Sequence, residues 1–358
     1  MATPAYKFEG WCGLDKDSVH GKMVWQPFDP KPFTDDDVDI AISHCGVCAS
    51  DLNTLRSGWR PVPYPCVVGH EIVGTAVRVG RNVTRVREGD RVGVGGQASS
   101  CLRPDCEACA GRDENHCPHA LGTYGSVYPD GSKSYGGYAT YNRSPAHFVF
   151  KIPDEIPSAH AAPMLCAGIT VYSPLKAEGC GPGKTVGIVG LGGLGHFGVL
   201  FAKALGASRV VVMSRTRSKA EDAVKLGADD FIATDEDEDW QGKHKKTLDL
   251  IICTVSSPDM PLAGYLNLLR VRGALIQVGA PEEPLPPLNV FSIIAKNCKI
   301  GGSIIGNTKE IEEMLQVAAK AKIKPWVEER PMDEANNVIL DQSAMKARYR
   351  YVLVNKDR

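Results

Sequence analysis

Cys101, Cys106, Cys109 and Cys117 crowd a single polar stretch, Ser99 to His119. Four thiolates at such close spacing match a closed tetrahedral site, and zinc is the ion that a four-cysteine set most often binds. With every position taken by protein, such a site fixes a loop that has little core of its own. A second group of ligand types is dispersed: Cys48 with Ser50 and Asp51 close by, Gly69-His70-Glu71, and Cys166 in Pro163-Met-Leu-Cys-Ala-Gly168. Cys, His and Cys with an open fourth position is a catalytic zinc arrangement. Spacing alone does not assemble these three, and His70 or Cys166 taken singly is of a type that more often serves as a buried structural residue.

A glycine turn adds a different chemistry. The apolar, β-branched run Val186 to Val189 gives way to Gly190-Leu-Gly-Gly193-Leu194-Gly195, and Phe197 to Leu205 is then apolar at helical spacing. Gly190, Gly192 and Gly195 fit G-x-G-x-x-G, the turn that seats a pyrophosphate on a helix N-terminus. The following strand, Arg209 to Met213, ends in Ser214-Arg215-Thr216-Arg217-Ser218-Lys219. An NAD site carries an acid roughly 20 residues past the glycines for the ribose 2′-hydroxyl. Here there is no carboxylate, and Ser214, Arg215 and Lys219 offer a hydroxyl, a planar fork and a point charge to a phosphate. The expected cofactor is NADP(H); the competing reading is that these cations solvate the start of the next helix.

The elements that must hold these groups divide by texture. Residues 1–158 are dense in Pro and Gly, with short strand patterns at Val38-x-Ile40-x-Ile42, Val73 to Val79 and Arg91 to Val94, which predicts an irregular, barrel-like β domain. Residues 159–306 alternate strand with helix: strands at 186–189, 209–213, 231–233, 248–254, 274–278 and 299–304, helices around Phe197, Ala220, Leu266 and Phe291. That alternation predicts an α/β, doubly wound parallel sheet. Residues 307–358, with a helix at 309–321 and strands at 324–327 and 349–354, are expected to complete the first domain.

A length of 358 residues suits two domains, and a formal net charge of -1 offers no surface for nucleic acid or membrane. No stretch approaches the ~18 apolar residues of a spanning helix, and Met1 to Phe8 has no apolar core for a secretory signal. The expectation is a soluble, cytoplasmic protein. In a reducing compartment, six of the twelve cysteines as metal ligands is the more economical reading than disulfides. The acidic run Asp235 to Asp239 is read as a solvated loop.

Cys48-x-Ser50-Asp51, Gly69-His70-Glu71, Gly89-Asp90-Arg91-Val92, the four-cysteine lobe, Cys166-Ala-Gly-Ile-Thr170 and Gly190 to Gly195 occur in that order. Together they resemble the zinc-dependent medium-chain alcohol dehydrogenases. The Gly195-His196 turn, the Ser214-Arg215 strand end and Tyr135-Gly-Gly-Tyr138 narrow the resemblance to the NADP-dependent cinnamyl alcohol dehydrogenase branch. It implies a GroES-like β-barrel catalytic domain beside a Rossmann cofactor domain. It also implies one catalytic zinc on Cys48, His70 and Cys166, with Glu71 entering as a transient fourth ligand, and one structural zinc on Cys101, Cys106, Cys109 and Cys117. Asp51 would orient His70, Ser50 would pass a proton, Trp59 would wall the substrate pocket and Ile304 would pack on the nicotinamide. A homodimer through the cofactor domains is a further implication.

Two departures stand out. Leu102 to Asp105 puts four residues between the first two structural cysteines where the family usually has two, so the loop must bulge. Asn53 falls where many relatives carry a relay histidine, and an amide has no titratable group. Either water reaches Ser50 directly or another group, with His44 a weak candidate, takes over. The expected function is aldehyde reduction and alcohol oxidation on aromatic or medium-chain small molecules. The alternatives are a polyol dehydrogenase of the same fold, a zinc-free quinone reductase and a non-catalytic NADPH-binding protein.

Overall fold

A computed structural model describes residues 6–356. The chain divides into two compact units, residues 1–166 with 307–358, and residues 167–306. Residues 159–166, expected in the second unit, group with the first. Their helical pattern is real, but the helix Ser158–Pro163 packs on the strands Asp37–Gly46 and Ile72–Val79 of the first unit.

In the first unit, a seven-stranded sheet runs Val149–Lys151, Arg91–Val94, Ile72–Val79, Asp37–Gly46, Arg350–Val354, Val327–Pro331, with Tyr141–Pro145 also paired to Asp37–Gly46. All its pairings are antiparallel except the last on that path, where Val327–Pro331 and Arg350–Val354 run parallel. Asp37–Gly46 is the central member, and its apolar phase (Val38, Ile40, Ile42) is fully buried beside Ile72, Val92 and Leu353. A three-stranded sheet, Val24–Pro27, Glu9–Gly13, Cys66–Val67, covers one part of this barrel-like body. The C-terminal segment does return to the first unit, with one shift. The strand expected at 324–327 begins only at Val327, because Pro325 removes a ladder donor just before it.

The second unit is a six-stranded, wholly parallel sheet ordered Asp230–Ala233, Arg209–Ser214, Thr185–Val189, Leu248–Cys253, Leu269–Gln277, Lys299–Gly302. Numbered from Thr185–Val189, this is the 3-2-1-4-5-6 order of a dinucleotide-binding fold, and the order reverses beside the first strand. That strand is buried at every position, as the inner strand of a parallel sheet requires; the helix Gly195–Ala204 packs on it, and the helix Leu262–Leu268 packs on Leu269–Gln277. Among the described residues, no helix is long and apolar enough to cross a membrane.

Candidate functional site

Each of the first unit's ligand types is placed by a local device. Cys48 caps the helix Ala49–Leu55 in extended conformation, which sets Ser50 in the first turn with its hydroxyl 3.5 Å from the Cys48 sulfur. His70 follows Gly69, whose φ of 98° lies in the left-handed region, and a Cβ there would run 2.6 Å from the Tyr138 ring. Only glycine fits both demands. Cys166 sits on a single π-helical turn, Met164–Gly168, between the helices Ser158–Pro163 and Ile169–Ala177. Pro163 has no backbone N–H to donate to the helical ladder, and the wider turn begins directly after it.

The result is one buried cluster: Cys48, His70, Glu71 and Cys166 each offer a donor atom, all within 4.8 Å of one another. The Cys48 and Cys166 sulfurs are 4.0 Å apart, and His70 Nε2 is 2.9 Å from the Cys166 sulfur. Two sulfurs each ~2.3 Å from a tetrahedral ion would lie roughly 3.8 Å apart. Glu71 Oε2 is buried without a hydrogen-bond partner, while its other oxygen pairs with buried Arg350. A buried acceptor with no donor, beside two thiols and an imidazole, is the environment of a cation. The residues fit zinc.

Electrostatics follow the same crowding. Hydrogen bonding with Cys166 holds the Cys48 thiol well below the usual thiol range, and the same bond with burial pushes Cys166 well above it. Burial pushes the Glu71 carboxyl up to about 7 against the pull of Arg350. Burial disfavours charge on His70, but hydrogen bonding with Asp51 and Cys48 outweighs it and raises the imidazole well above its ordinary value.

Around the cluster, Asp51 accepts from the backbone N–H of Cys48 (2.8 Å) and of Gly69 (3.2 Å), so one carboxylate ties together the two segments that carry ligands. Its Oδ1 is 3.3 Å from His70 Nδ1, and Tyr138 donates to its Oδ2 at 2.9 Å. Tyr124 and Arg350 were not singled out by the residue patterns, and Tyr138 entered only as the end of Tyr135-Gly-Gly-Tyr138, with no role at the site. Arg350 had a legible signal: a cation inside the apolar strand run 349–354 demands a buried counter-charge.

The four-cysteine lobe closes as well. Its sulfurs lie 3.7 Å (Cys101–Cys109), 3.9 Å (Cys106–Cys117) and 3.5 Å (Cys101–Cys117) apart, and backbone N–H groups of Cys101 and His119 donate to the Cys117 sulfur. The extra residues between Cys101 and Cys106 are absorbed by a left-handed residue, Leu102, with φ 49°. These residues fit a structural zinc by the same measure.

Asn53 and Trp59 lie on and just beyond the helix Ala49–Leu55. The Asn53 carbonyl accepts from Arg56 at 2.5 Å, and Trp59 is 44% exposed and so is not core. His44 does not serve Ser50: its ring bonds the Ser43 hydroxyl at 2.8 Å and lies 4.0 Å from Glu329 on the far strand.

In the second unit the three fingerprint glycines divide their tasks. Gly190 has φ 86°, a Cβ on Gly192 would meet nothing within 4 Å, and a Cβ on Gly195 would collide with the Gly190 carbonyl. Turn, open approach and tight strand–helix packing are the three demands of a pyrophosphate cradle. Gly193 and Leu194 complete the turn ahead of the helix Gly195–Ala204. Ser214 ends its strand, Arg215 is exposed, and Lys219 reaches back to the Leu191 carbonyl at 2.8 Å. Arg217 is committed elsewhere, to Asp237 and through its backbone to Glu236. The acidic run is therefore more than a solvated loop: it anchors the strand end, and Asp239 caps the short helix Trp240–Lys243. Ile304, 60% exposed, follows the last strand.

Comparison with known proteins agrees with this construction. Residues 34–154 match the family "Alcohol dehydrogenase GroES-like domain" and residues 193–320 match "Zinc-binding dehydrogenase". The NADP-dependent alcohol dehydrogenase 6 of Saccharomyces cerevisiae is 44% identical over 92% of each chain. Among solved structures, a cinnamyl alcohol dehydrogenase of Sorghum bicolor superposes with TM-score 0.91 at 36% identity over 98% of each chain. A Helicobacter pylori cinnamyl alcohol dehydrogenase complexed with NADP(H) gives 0.89 at 34%, covering 98% of this chain and 99% of that one. With paired families across both units and relatives of this closeness, the chain belongs to the zinc-dependent medium-chain alcohol dehydrogenases, on the branch that holds the cinnamyl alcohol dehydrogenases.

Proposed function

We propose that the protein is an NADP(H)-dependent zinc alcohol dehydrogenase that interconverts aromatic, cinnamyl- or benzyl-type, or medium-chain primary alcohols and their aldehydes. The observation that carries this reading is the buried Cys48, His70, Glu71 and Cys166 set, whose donor atoms converge in a chain 44% identical to a relative named as an NADP-dependent alcohol dehydrogenase. Cys48, His70 and Cys166 would hold the catalytic zinc, with Glu71 as a transient fourth ligand. When bound, zinc supplies Lewis acidity at an aldehyde oxygen and NADPH supplies the hydride.

The chain's own residues do the rest. Asp51 and its neighbours hold the imidazole in register, Ser50 passes a proton to the product oxygen in reduction and takes one in oxidation, and Trp59 offers an aromatic wall. Asn53 has no proton to relay, so water replenishes Ser50. The backbone of Gly190 to Gly195 seats the pyrophosphate, Ser214, Arg215 and Lys219 receive the 2′-phosphate, and Ile304 packs on the nicotinamide. Cys101, Cys106, Cys109 and Cys117 hold a structural zinc. Residues 1–166 with 307–358 act as the catalytic domain and 167–306 as the cofactor domain.

A homodimer through the second unit is part of this reading. Its edge strand Lys299–Gly302 presents Ile300, and Phe291 nearby is 68% exposed; an apolar edge of this kind calls for a partner. Two thiolate clusters suit a reducing, cytoplasmic setting. The test is a set of initial rates for cinnamaldehyde, benzaldehyde and hexanal with NADPH and NADH, beside zinc per chain. Turnover with NADPH preferred by at least about tenfold, roughly 1.4 kcal/mol, and two zinc ions per chain are expected. One zinc and no turnover would instead favour a non-catalytic NADPH-binding protein.

A further inference from the structure

We infer that Tyr124 is a positioning residue for His70: its hydroxyl takes the hydrogen of Nδ1 and so leaves Nε2 bare to bind metal. The inference rests on the dehydrogenase reading above and concerns a residue to which that reading gives no part.

His70 presents its two nitrogens to different surroundings. Nε2 faces the cluster, 2.9 Å from the Cys166 sulfur, and must be unprotonated to donate to a cation. Nδ1 then carries the hydrogen. Two oxygens can accept it, Tyr124 Oη at 2.8 Å and Asp51 Oδ1 at 3.3 Å, and the phenol is the nearer. Asp51 is already engaged by Cys48 N, Gly69 N and the Tyr138 hydroxyl, which fills most of the roughly four lone-pair sites of a carboxylate.

A phenol can also donate, and if Tyr124 gave its hydrogen to Nδ1 the imidazole would take the other tautomer and aim N–H at the Cys166 sulfur. Nε2 belongs to a set of donor atoms that converge within 4.8 Å of one another, so the tautomer that fits a cation leaves Nε2 bare and the phenol oxygen accepts from Nδ1. The contact is polar rather than stacked: the rings are tilted by 56° with centroids 5.3 Å apart. Tyr124 is itself anchored through Thr123, whose hydroxyl donates to the Gly95 carbonyl at 2.5 Å, so the phenol is delivered by a fixed segment. Tyr138, on the opposite oxygen of Asp51, fixes the rotation of that carboxylate.

The experiment compares wild type with Tyr124→Phe as holoenzymes. Outer partners of a zinc-bound histidine are worth about 10- to 100-fold in metal affinity or activity. Tyr124→Phe is expected to release one of two zinc ions to a chelator about tenfold faster, with the four-cysteine zinc as internal control. It should also shift the visible bands of the cobalt-substituted site and lower kcat while leaving the KM for NADPH unchanged. Should the Phe variant fail to fold, 3-fluorotyrosine at 124 keeps the shape and weakens the oxygen as an acceptor; faster release and shifted cobalt bands are again expected. Wild-type release kinetics and wild-type cobalt bands in the folded variant overturn the inference. A wild type that holds no second zinc or turns over no aldehyde would overturn the dehydrogenase reading instead, and the two failures are separately visible.

Discussion

Ser50 has its hydroxyl 3.5 Å from the Cys48 sulfur, and Asn53, one turn further along the same helix, spends its carbonyl on Arg56. The function proposed above leaves proton transfer to that hydroxyl. Ser50→Ala should lower kcat by about 100-fold while both zinc ions stay bound; near-normal kcat by stopped-flow would remove Ser50 from the reaction. Asn53→His adds a group that titrates near the ordinary histidine value, about 6.5. The pH profile of kcat/KM should gain an ionisation in that range that the wild type lacks, and superimposable profiles would show that position 53 has no access to the proton path. At this scale the ligands were legible because thiols, imidazole and carboxylate declare their chemistry by type. Tyr124 was not, nor was the role of Tyr138 beyond its place in Tyr135-Gly-Gly-Tyr138, because a buried phenol looks like core until its hydroxyl is seen on His70 or Asp51.

Elements place these residues, and the sequence made some of them plainer than others. The strand–turn–helix at 185–205 was legible in detail, since each glycine answers a separate steric demand. The π-turn under Cys166 was not: the difference from an ordinary helix is one displaced hydrogen bond, which no periodicity records. Nor was the bolt between the four-cysteine lobe and the helix Thr308–Ala321. Buried Glu114, between Cys109 and Cys117, accepts from the Thr308 hydroxyl and backbone N–H at the start of that helix and from His147 at 3.1 Å. Burial alone would raise its carboxyl, but hydrogen bonds from His147 and Thr308 outweigh it and lower the group from 4.5 to about 2. A depressed folded value means that the contribution is complete above about 4.5 and is lost as pH falls towards 2. Glu114→Gln should cost about 2 kcal/mol at neutral pH. In urea titrations that deficit should narrow steadily below about pH 4.5, and a deficit independent of pH would show that the charge is not what holds the lobe.

At the scale of the whole molecule, the two units meet separate demands, metal in one and phosphate in the other, and their division could be read from texture apart from the stretch 159–166. Arg215→Asp should raise the KM for NADPH by at least about tenfold and bring NADH to parity, because a carboxylate repels the 2′-phosphate and accepts from a 2′-hydroxyl. An unchanged NADPH:NADH ratio would place the phosphate elsewhere. The claim on which everything depends is that Cys48, His70 and Cys166 share one ion in a working site. The most direct measurement is zinc per chain together with NADPH-dependent cinnamaldehyde reduction in wild type and Cys48→Ser. Two zinc ions and turnover in the wild type, with one zinc and no turnover in the variant, is the predicted result; a variant that keeps full turnover would contradict it.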